Sequence, residues 1–163
     1  MLAAAILSGF FAAHAVWSIS DGESLIPIYA YLDESDQRHI ERLEAAPTDA
    51  AVKGGQEQLD RNPHKAKCAV LIYDGYLTLA GVRTDALMLE IRDYSESRKP
   101  VRIAIPYSPK SDKSAFVVYR PKIVEFPGPA DEHAQKFMEV FWQGVENHKQ
   151  GSAVWSAHID QSR

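Results

Sequence analysis

The sequence predicts a single α+β domain over residues 1–163: an antiparallel meander sheet of five or six strands, packed on one face by an N-terminal and a long C-terminal helix. Three observations indicate this fold class. Residues 1–20 carry no formal charge, residues 65–126 alternate apolar and polar positions between short turns, and residues 129–151 have the spacing of an amphipathic helix. A chain of 163 residues can bury its own core, and no repeat or linker divides it.

The opening stretch MLAAAILSGFFAAHAVWSISDGE predicts a core helix over residues 2–18. It is apolar nearly all round, which is typical of a helix covered on more than one side, and Asp21-Gly22 supplies the turn that ends it. A signal peptide needs a basic n-region, but no Lys or Arg precedes Arg38. Polar residues also interrupt the apolar run that a membrane span requires. We therefore expect a cytoplasmic protein without a membrane partner; the alternative is an exported protein with residues 1–15 as a signal peptide.

The next two segments predict one strand and two peripheral helices. LIPIYAYLD, residues 25–33, alternates apolar and polar positions as a half-buried strand does, and Pro27 places this strand at a start or an edge. Residues 34–60 have helix-forming composition. Ser35 can cap a first helix, and Thr48 can cap a second that runs through Leu59.

The central segments predict the meander. AKCAVLIYDGYLTLAGV, residues 66–82, suggests two strands joined at Asp74-Gly75, a dipeptide favoured in type I′ hairpins. Further strands follow at residues 85–94, 101–107 and 115–126, the last broken or bulged at Pro121. Because the connections are short, neighbouring strands are expected to be antiparallel.

The last long segment, PADEHAQKFMEVFWQGVENHKQG, predicts the clearest helix. Its apolar face carries Phe137, Phe141 and Val145, and it ends with His148 and Gly151. A partly protonated His148 would interact favourably with the helix dipole there. The tail SAVWSAHID is apolar enough to dock back onto the body as a short helix or strand.

Composition and motifs exclude several functions and favour none strongly. The net charge of −4 argues against a broad nucleic-acid surface, and the single Cys68 cannot form an internal disulfide. The sequence lacks nucleotide-binding, hydrolase, EF-hand and zinc motifs, and its six histidines are scattered. We therefore expect no metal and no cofactor, and the chain is more typical of a binding protein than of an enzyme.

The first functional hypothesis follows from the tyrosines, all seven of which lie in or at the ends of predicted strands. Tyrosines on the solvated face of an antiparallel sheet would form a rigid amphipathic contact surface. This predicts a non-enzymatic binding or regulatory module that engages a protein partner, or a second copy as a homo-dimer. Its binding residues would be Trp17, Tyr29, Tyr31, Tyr76 and Tyr119.

The second hypothesis follows from three polar residues in the first helix. His14, Ser18 and Asp21 recur at i, i+4 and i+7, so a helix that extends as far as Asp21 would present all three on one face, with Trp17 beside them. They could line a pocket at the helix end of a small enzyme or ligand-binding protein, as a ligand or acid/base group. Alternatively, His14 bonds Ser18 or a backbone carbonyl, while Asp21 serves the turn. The spacing stacks the three side chains along the helix, which disfavours a converging catalytic triad.

Overall fold

The computed structural model describes residues 1–44, 47–95, 100–128 and 130–163, and this part of the chain forms four helices and eight strands. The helices are α1 (Leu2–Ile19), α2 (Thr48–Arg61), α3 (Ala130–Asn147) and α4 (Lys149–His158). The strands are β1 (Ile28–Leu32), β2 (Arg38–Arg42), β3 (Cys68–Leu79), β4 (Val82–Asp93), β5 (Val101–Ser108), β6 (Val117–Tyr119), β7 (Lys122–Glu125) and β8 (Ile159–Asp160).

The strands form one curled sheet in the order β2-β1-β3-β4-β5-β6-β8, and β7 also pairs with β5. Every pairing is antiparallel except that of β6 with β8. Helices α1 and α3 pack on this sheet. The predicted α+β class is confirmed, although the sheet has more strands than the five or six expected.

The hairpin turn lies at Ala80-Gly81, so the turn predicted at Asp74-Gly75 is wrong. Ala80 and Gly81 have φ values of 48° and 78°, and the left-handed backbone at both positions is that of a type I′ turn. Strand β3 continues through Asp74 and Gly75 because both pair with β4. Gly75 faces Met88, whose Cγ would lie 2.8 Å from an added Cβ.

The helix predicted after residue 34 is also wrong, because Arg38–Arg42 is strand β2, paired with β1. The side chain of Asp33 sets this reversal: its Oδ1 accepts hydrogen bonds from the backbone N–H groups of Ser35 (2.8 Å) and Gln37 (2.9 Å). Residues 45–46 of the predicted helical segment lie outside the described residues. The second helix of that segment is confirmed as α2.

Helix α1 is the inner helix of the main core. It packs against β3, β4, α3 and α4, which explains why its sequence is apolar nearly all round. By length and composition this N-terminal helix could also cross a membrane, and 61% of it is buried within the protein; a core helix and a signal sequence both have these properties. The predicted helix over residues 2–18 is thus present and ends one residue later.

Glycines allow α1 to approach α3 and α4 at backbone distance. A Cβ added at Gly9 would overlap the carbonyl oxygen of Phe141, and one at Gly144 would overlap that of Ile6. Gly151 makes the same close approach to Ala13. Gly151 therefore lies inside α4 instead of ending the long helix, which stops at Asn147.

The two faces of the sheet carry separate cores. The main cluster lies between the sheet and helices α1, α3 and α4. A smaller cluster of Tyr29, Leu59, Ala69 and Leu71 lies on the opposite face, where α2 covers β1 and β3. This arrangement leaves the C-terminal end of α1 beside the edge strand β2.

Candidate functional site

A pocket of about 350 Å³ opens at the C-terminal end of α1. His14, Trp17, Ser18 and Asp21 line it together with Arg42, the last residue of β2. The remaining wall is the 23–28 segment that leads into β1 and includes Leu25, Ile26 and Ile28. We call this site the α1–β2 pocket.

The turn after α1 shapes the pocket wall. Gly22 has a φ of 99°, a conformation that a glycine adopts without steric cost, and its N–H donates to the Ile19 carbonyl. The Oδ1 atom of Asp21 accepts a hydrogen bond of 3.1 Å from the backbone N–H of Glu23. These bonds turn the chain back toward β1, so that residues 23–28 lie opposite the helix.

His14 contacts a second histidine, His148, at the junction of α3 and α4. The His14 Nδ1 and His148 Nε2 atoms are 3.2 Å apart. His148 caps α4, because its Nδ1 accepts a hydrogen bond of 2.9 Å from the Gly151 N–H. This corrects the expectation that His148 lies in the last turn of a helix and interacts with its dipole.

These contacts fix the tautomers of both neutral imidazoles. Since His148 Nδ1 is an acceptor, its proton is on Nε2, which donates to His14 Nδ1. His14 then carries its own proton on Nε2. The described contacts leave this N–H free to donate to a ligand in the pocket that His14 lines.

Both histidines favour the neutral form. Burial lowers the pKa of His14 most, and His148 and the Arg42 guanidinium lower it further. Burial and Arg38 lower the pKa of His148. Protonating either ring would also place two donors face to face in one of the two hydrogen bonds described above. The pair therefore acts as a neutral hydrogen-bonding unit at pH 7.

We expect the free energy of unfolding to decrease as the pH is lowered from 7.5 to 5.5. The pKa values of His14 and His148 are depressed in the folded chain, so the unfolded chain binds more protons just below the ordinary value of 6.5. Their contribution is complete above that value and is lost as the pH falls through the folded pKa values. Urea titrations at pH 7.5, 6.5 and 5.5 measure how the free energy of unfolding changes with pH.

His148→Asn provides the control, because asparagine retains an N-cap acceptor for the Gly151 N–H without a titrating ring. Its unfolding free energy should change less with pH than that of the wild type. Equal slopes in the two proteins would contradict the assignment.

Ser18 and Asp21 reach the pocket without forming a catalytic couple. The Ser18 hydroxyl donates to the backbone carbonyl of His14 at 2.9 Å instead of to its ring. The Asp21 carboxylate accepts from a backbone N–H in its own turn. The Asp21 bond matches the expected role of this residue in the turn, whereas the described contacts of the His14 ring are with His148 and not with Ser18 or a backbone carbonyl.

The arginine and aromatic neighbours complete the chemistry of the pocket. Arg42 makes no ion pair within 4 Å among the residues that the structure describes. The Trp17 indole is 43% exposed and packs edge-on to His14, with ring centroids 5.8 Å apart. The pocket therefore presents a cation, an imidazole N–H donor and an exposed aromatic plane.

The tyrosines do not form a continuous solvated surface. Tyr29 and Tyr119 are buried. The Tyr31 ring stacks between His39 and His64, with centroid distances of 4.7 and 4.3 Å, so both of its faces are covered. Tyr76 is 58% exposed, but Arg83 lies over its ring. The engagement of a protein partner, and of a second copy, stays a prediction.

No metal centre is evident in the described ranges, which hold no group of three or more His, Cys, Asp and Glu side chains suited to an ion. Cys68 is buried, and burial raises the pKa of its thiol to about 12. It is therefore a protonated core residue at neutral pH.

Comparison with known proteins gives no relative for this chain. No protein-family model matches it, no curated protein matches it, and no solved structure matches it.

Proposed function

We propose that the protein binds a small organic acid in the α1–β2 pocket. The observation that carries this proposal is that Arg42, which has no carboxylate within 4 Å in the described part of the chain, lines one concave site together with His14. A guanidinium and an N–H donor together suit a carboxylate oxygen pair. The volume of about 350 Å³ is at the small end of the range for ligand pockets.

The aromatic and apolar wall selects the body of the ligand. The exposed Trp17 indole and the side chains of Leu25, Ile26 and Ile28 offer apolar contact on the sides of the pocket. A phenyl-sized group can pack there while its acid group pairs with Arg42. Ligand pockets commonly combine such walls with a few polar groups that fix orientation.

The two carboxylates at the pocket refine the ligand class. Asp21 and Glu23 both line the pocket and are exposed. They would repel a simple anion, but they would accept hydrogen bonds from a hydroxyl or ammonium group. The ligand class that matches all the charged groups is therefore an aromatic hydroxy acid or amino acid.

Binding, not catalysis, is the activity that the hydrogen bonds support. Ser18 lacks a hydrogen bond to either imidazole in the described contacts, so it has no general base to activate it. The low pKa values keep both histidines neutral, which suits a donor to a bound carboxylate. The His14–His148 pair thus positions a ligand oxygen.

Calorimetric titration of the wild type with phenyllactate, phenylalanine and the amides of both compounds tests the proposal. We expect an acid to bind, and Arg42→Gln to weaken that binding about 10- to 100-fold, since a charge-assisted hydrogen bond contributes about 1.5–3 kcal/mol. Arg61→Gln is the matched control, because Arg61 is 73% exposed on α2, outside the pocket. The Arg61→Gln variant should bind the acid with the same affinity as the wild type.

Three results would contradict the proposal. The first is a panel in which neither acid binds. The second is an amide that binds as tightly as its acid, since the amide lacks the charge that Arg42 recognises. The third is an equal loss of affinity in the Arg42→Gln and Arg61→Gln variants.

A further inference from the structure

A continuous series of hydrogen bonds runs from the start of α4 to the α1–β2 pocket. The Gly151 N–H donates to His148 Nδ1 at 2.9 Å, and His148 Nε2 lies 3.2 Å from His14 Nδ1. His14 lines the pocket at the other end of the series. A neutral imidazole has one acceptor nitrogen, and both rings use theirs within the protein.

A proton added to this series must break one of its two bonds. If the bond between the rings keeps its single proton, the added proton can only occupy His148 Nδ1, which then faces the Gly151 N–H as a second donor. If His148 Nδ1 stays unprotonated, both ring nitrogens of the other bond carry a proton, and that bond is lost.

Two observations favour loss of the bond to Gly151. A hydrogen bond between an imidazolium and an imidazole is charge-assisted, and such bonds are about twice as strong as neutral ones. The Trp17 ring also packs against both histidines, with centroids 5.8 Å from His14 and 5.7 Å from His148. This packing holds the two rings together, so the N-terminal cap of α4 is the weaker bond.

The surroundings of the pair contain no charge that compensates the added proton. From β2, Arg42 and Arg38 each lower the pKa of one histidine of the pair. The exposed Asp21 and Glu23 line the same pocket, but neither histidine has a carboxylate within 4 Å in the described ranges. An anion that enters the pocket would supply the missing negative charge.

We propose that the His14–His148 pair is a proton-operated switch between the α1–β2 pocket and helix α4. Uptake of one proton releases the N-terminal cap of α4 and places a positive charge beside the pocket. The release of the cap does not require a ligand. The effect on the pocket rests on the proposed function, because the added charge strengthens the binding of a carboxylate and a bound carboxylate favours uptake of the proton.

Nuclear magnetic resonance of the ligand-free protein tests the switch, in a titration from pH 7.5 down through the midpoint of the His148 ring protons. We expect the Gly151 amide proton to move upfield with the same midpoint, because it loses its acceptor. Its protection against exchange should decrease about 2- to 30-fold, as expected for the loss of an N-cap.

Two amides serve as internal controls in the same spectra. The Ser152 N–H donates to the backbone carbonyl of His148 at 2.8 Å, a bond that protonation of the ring leaves in place, so its signal should move less than that of Gly151. Leu89 lies in the main core, and its amide should keep its protection. An equal loss of protection at Leu89 and Gly151 would indicate unfolding of the whole domain and would contradict the switch.

Two variants test the assignment to His148. In His148→Asn the asparagine retains an acceptor for the Gly151 N–H without a titrating ring, so the Gly151 signal should move much less with pH. His133→Asn is the matched control, because His133 is exposed on α3 and lies outside the pocket. In that variant the Gly151 signal should titrate as in the wild type.

Calorimetric titration with phenyllactate at pH 7.5 and 5.5 tests the link to the pocket. The acid should bind about fivefold more tightly at pH 5.5, because a hydrogen bond from a charged donor is stronger than one from a neutral donor. Equal affinities at the two pH values would overturn this link. A lack of binding at both pH values would contradict the proposed function, whereas the Gly151 titration decides the switch in the absence of any acid.

Either of two results would overturn the switch itself. One is a Gly151 amide signal that stays in place while the His148 ring titrates, since the cap would then survive protonation. The other is an equal movement of the Gly151 signal in the wild type and in His148→Asn.

Discussion

Gly9→Ala is expected to destabilise the protein by about 3 kcal/mol, at the upper end of the usual cost of overpacking, and to lower Tm by roughly 6–12 °C. The added methyl group would overlap the Phe141 carbonyl oxygen, which belongs to the backbone of α3 and cannot move aside as a flexible side chain can. Helix α1 would have to separate from α3, and this separation would open the main core. Calorimetry or circular dichroism melting measures the loss.

Gly54→Ala is the matched control for this prediction. Gly54 also lies within a helix, but no atom lies within 4 Å of an added Cβ. Alanine favours helix over glycine by about 1 kcal/mol, so this variant should be as stable as the wild type or slightly more stable. If the Tm of Gly9→Ala equals that of Gly54→Ala, α1 and α3 are not in backbone contact.

Leu59→Ala is expected to lower the free energy needed to detach helix α2 from the sheet by about 2–5 kcal/mol. Leu59 is fully buried in the smaller core cluster with Tyr29 and Leu71, and it is the α2 residue among the buried members of that cluster in the described part of the chain. Because this cluster is separate from the main core, α2 can open while the rest of the domain stays folded. Amide exchange in residues 50–61 should accelerate about 30-fold or more.

Leu89→Ala makes the same change in the main core, where Leu89 is 1% exposed. It should lower Tm more than Leu59→Ala does, and it should accelerate exchange throughout the domain. If both variants accelerate amide exchange equally in all helices and strands, α2 does not open independently and the prediction is wrong.

The elements with strong local patterns could be predicted from the sequence. Helix α3 and the strands β4 and β5 have apolar spacings long enough to define both their type and their buried face, and the apolar length of α1 was enough to predict a core helix. Strand β2 could not be predicted in this way, because RHIER is polar and short. Its conformation depends on pairing with β1 and on the Asp33 turn. The hairpin turn was misplaced because Asp74-Gly75 has the preferred turn chemistry, whereas pairing across β3 and β4 continues beyond it.

The α1–β2 pocket was also predictable in part, from the local spacing of residues in the sequence. His14, Trp17 and Ser18 are neighbours on α1, and Asp21 follows in the turn that ends the helix, so their short separation in sequence alone placed them together. Arg42 was missed because its strand was interpreted as a helix. His148 is 134 residues from its partner His14, and only the tertiary packing of α1 against the α3–α4 junction brings the two rings together.

Strand β2 has a further consequence for the solution behaviour of the protein, because it is the outer strand at one edge of the sheet. Unpaired backbone groups on a sheet edge can recruit a strand from another molecule and start aggregation. β2 is only five residues long and carries Arg38, Glu41 and Arg42, so a docking strand would bury these charges. The arginine that we assign to ligand recognition therefore also protects the free protein from edge-to-edge association.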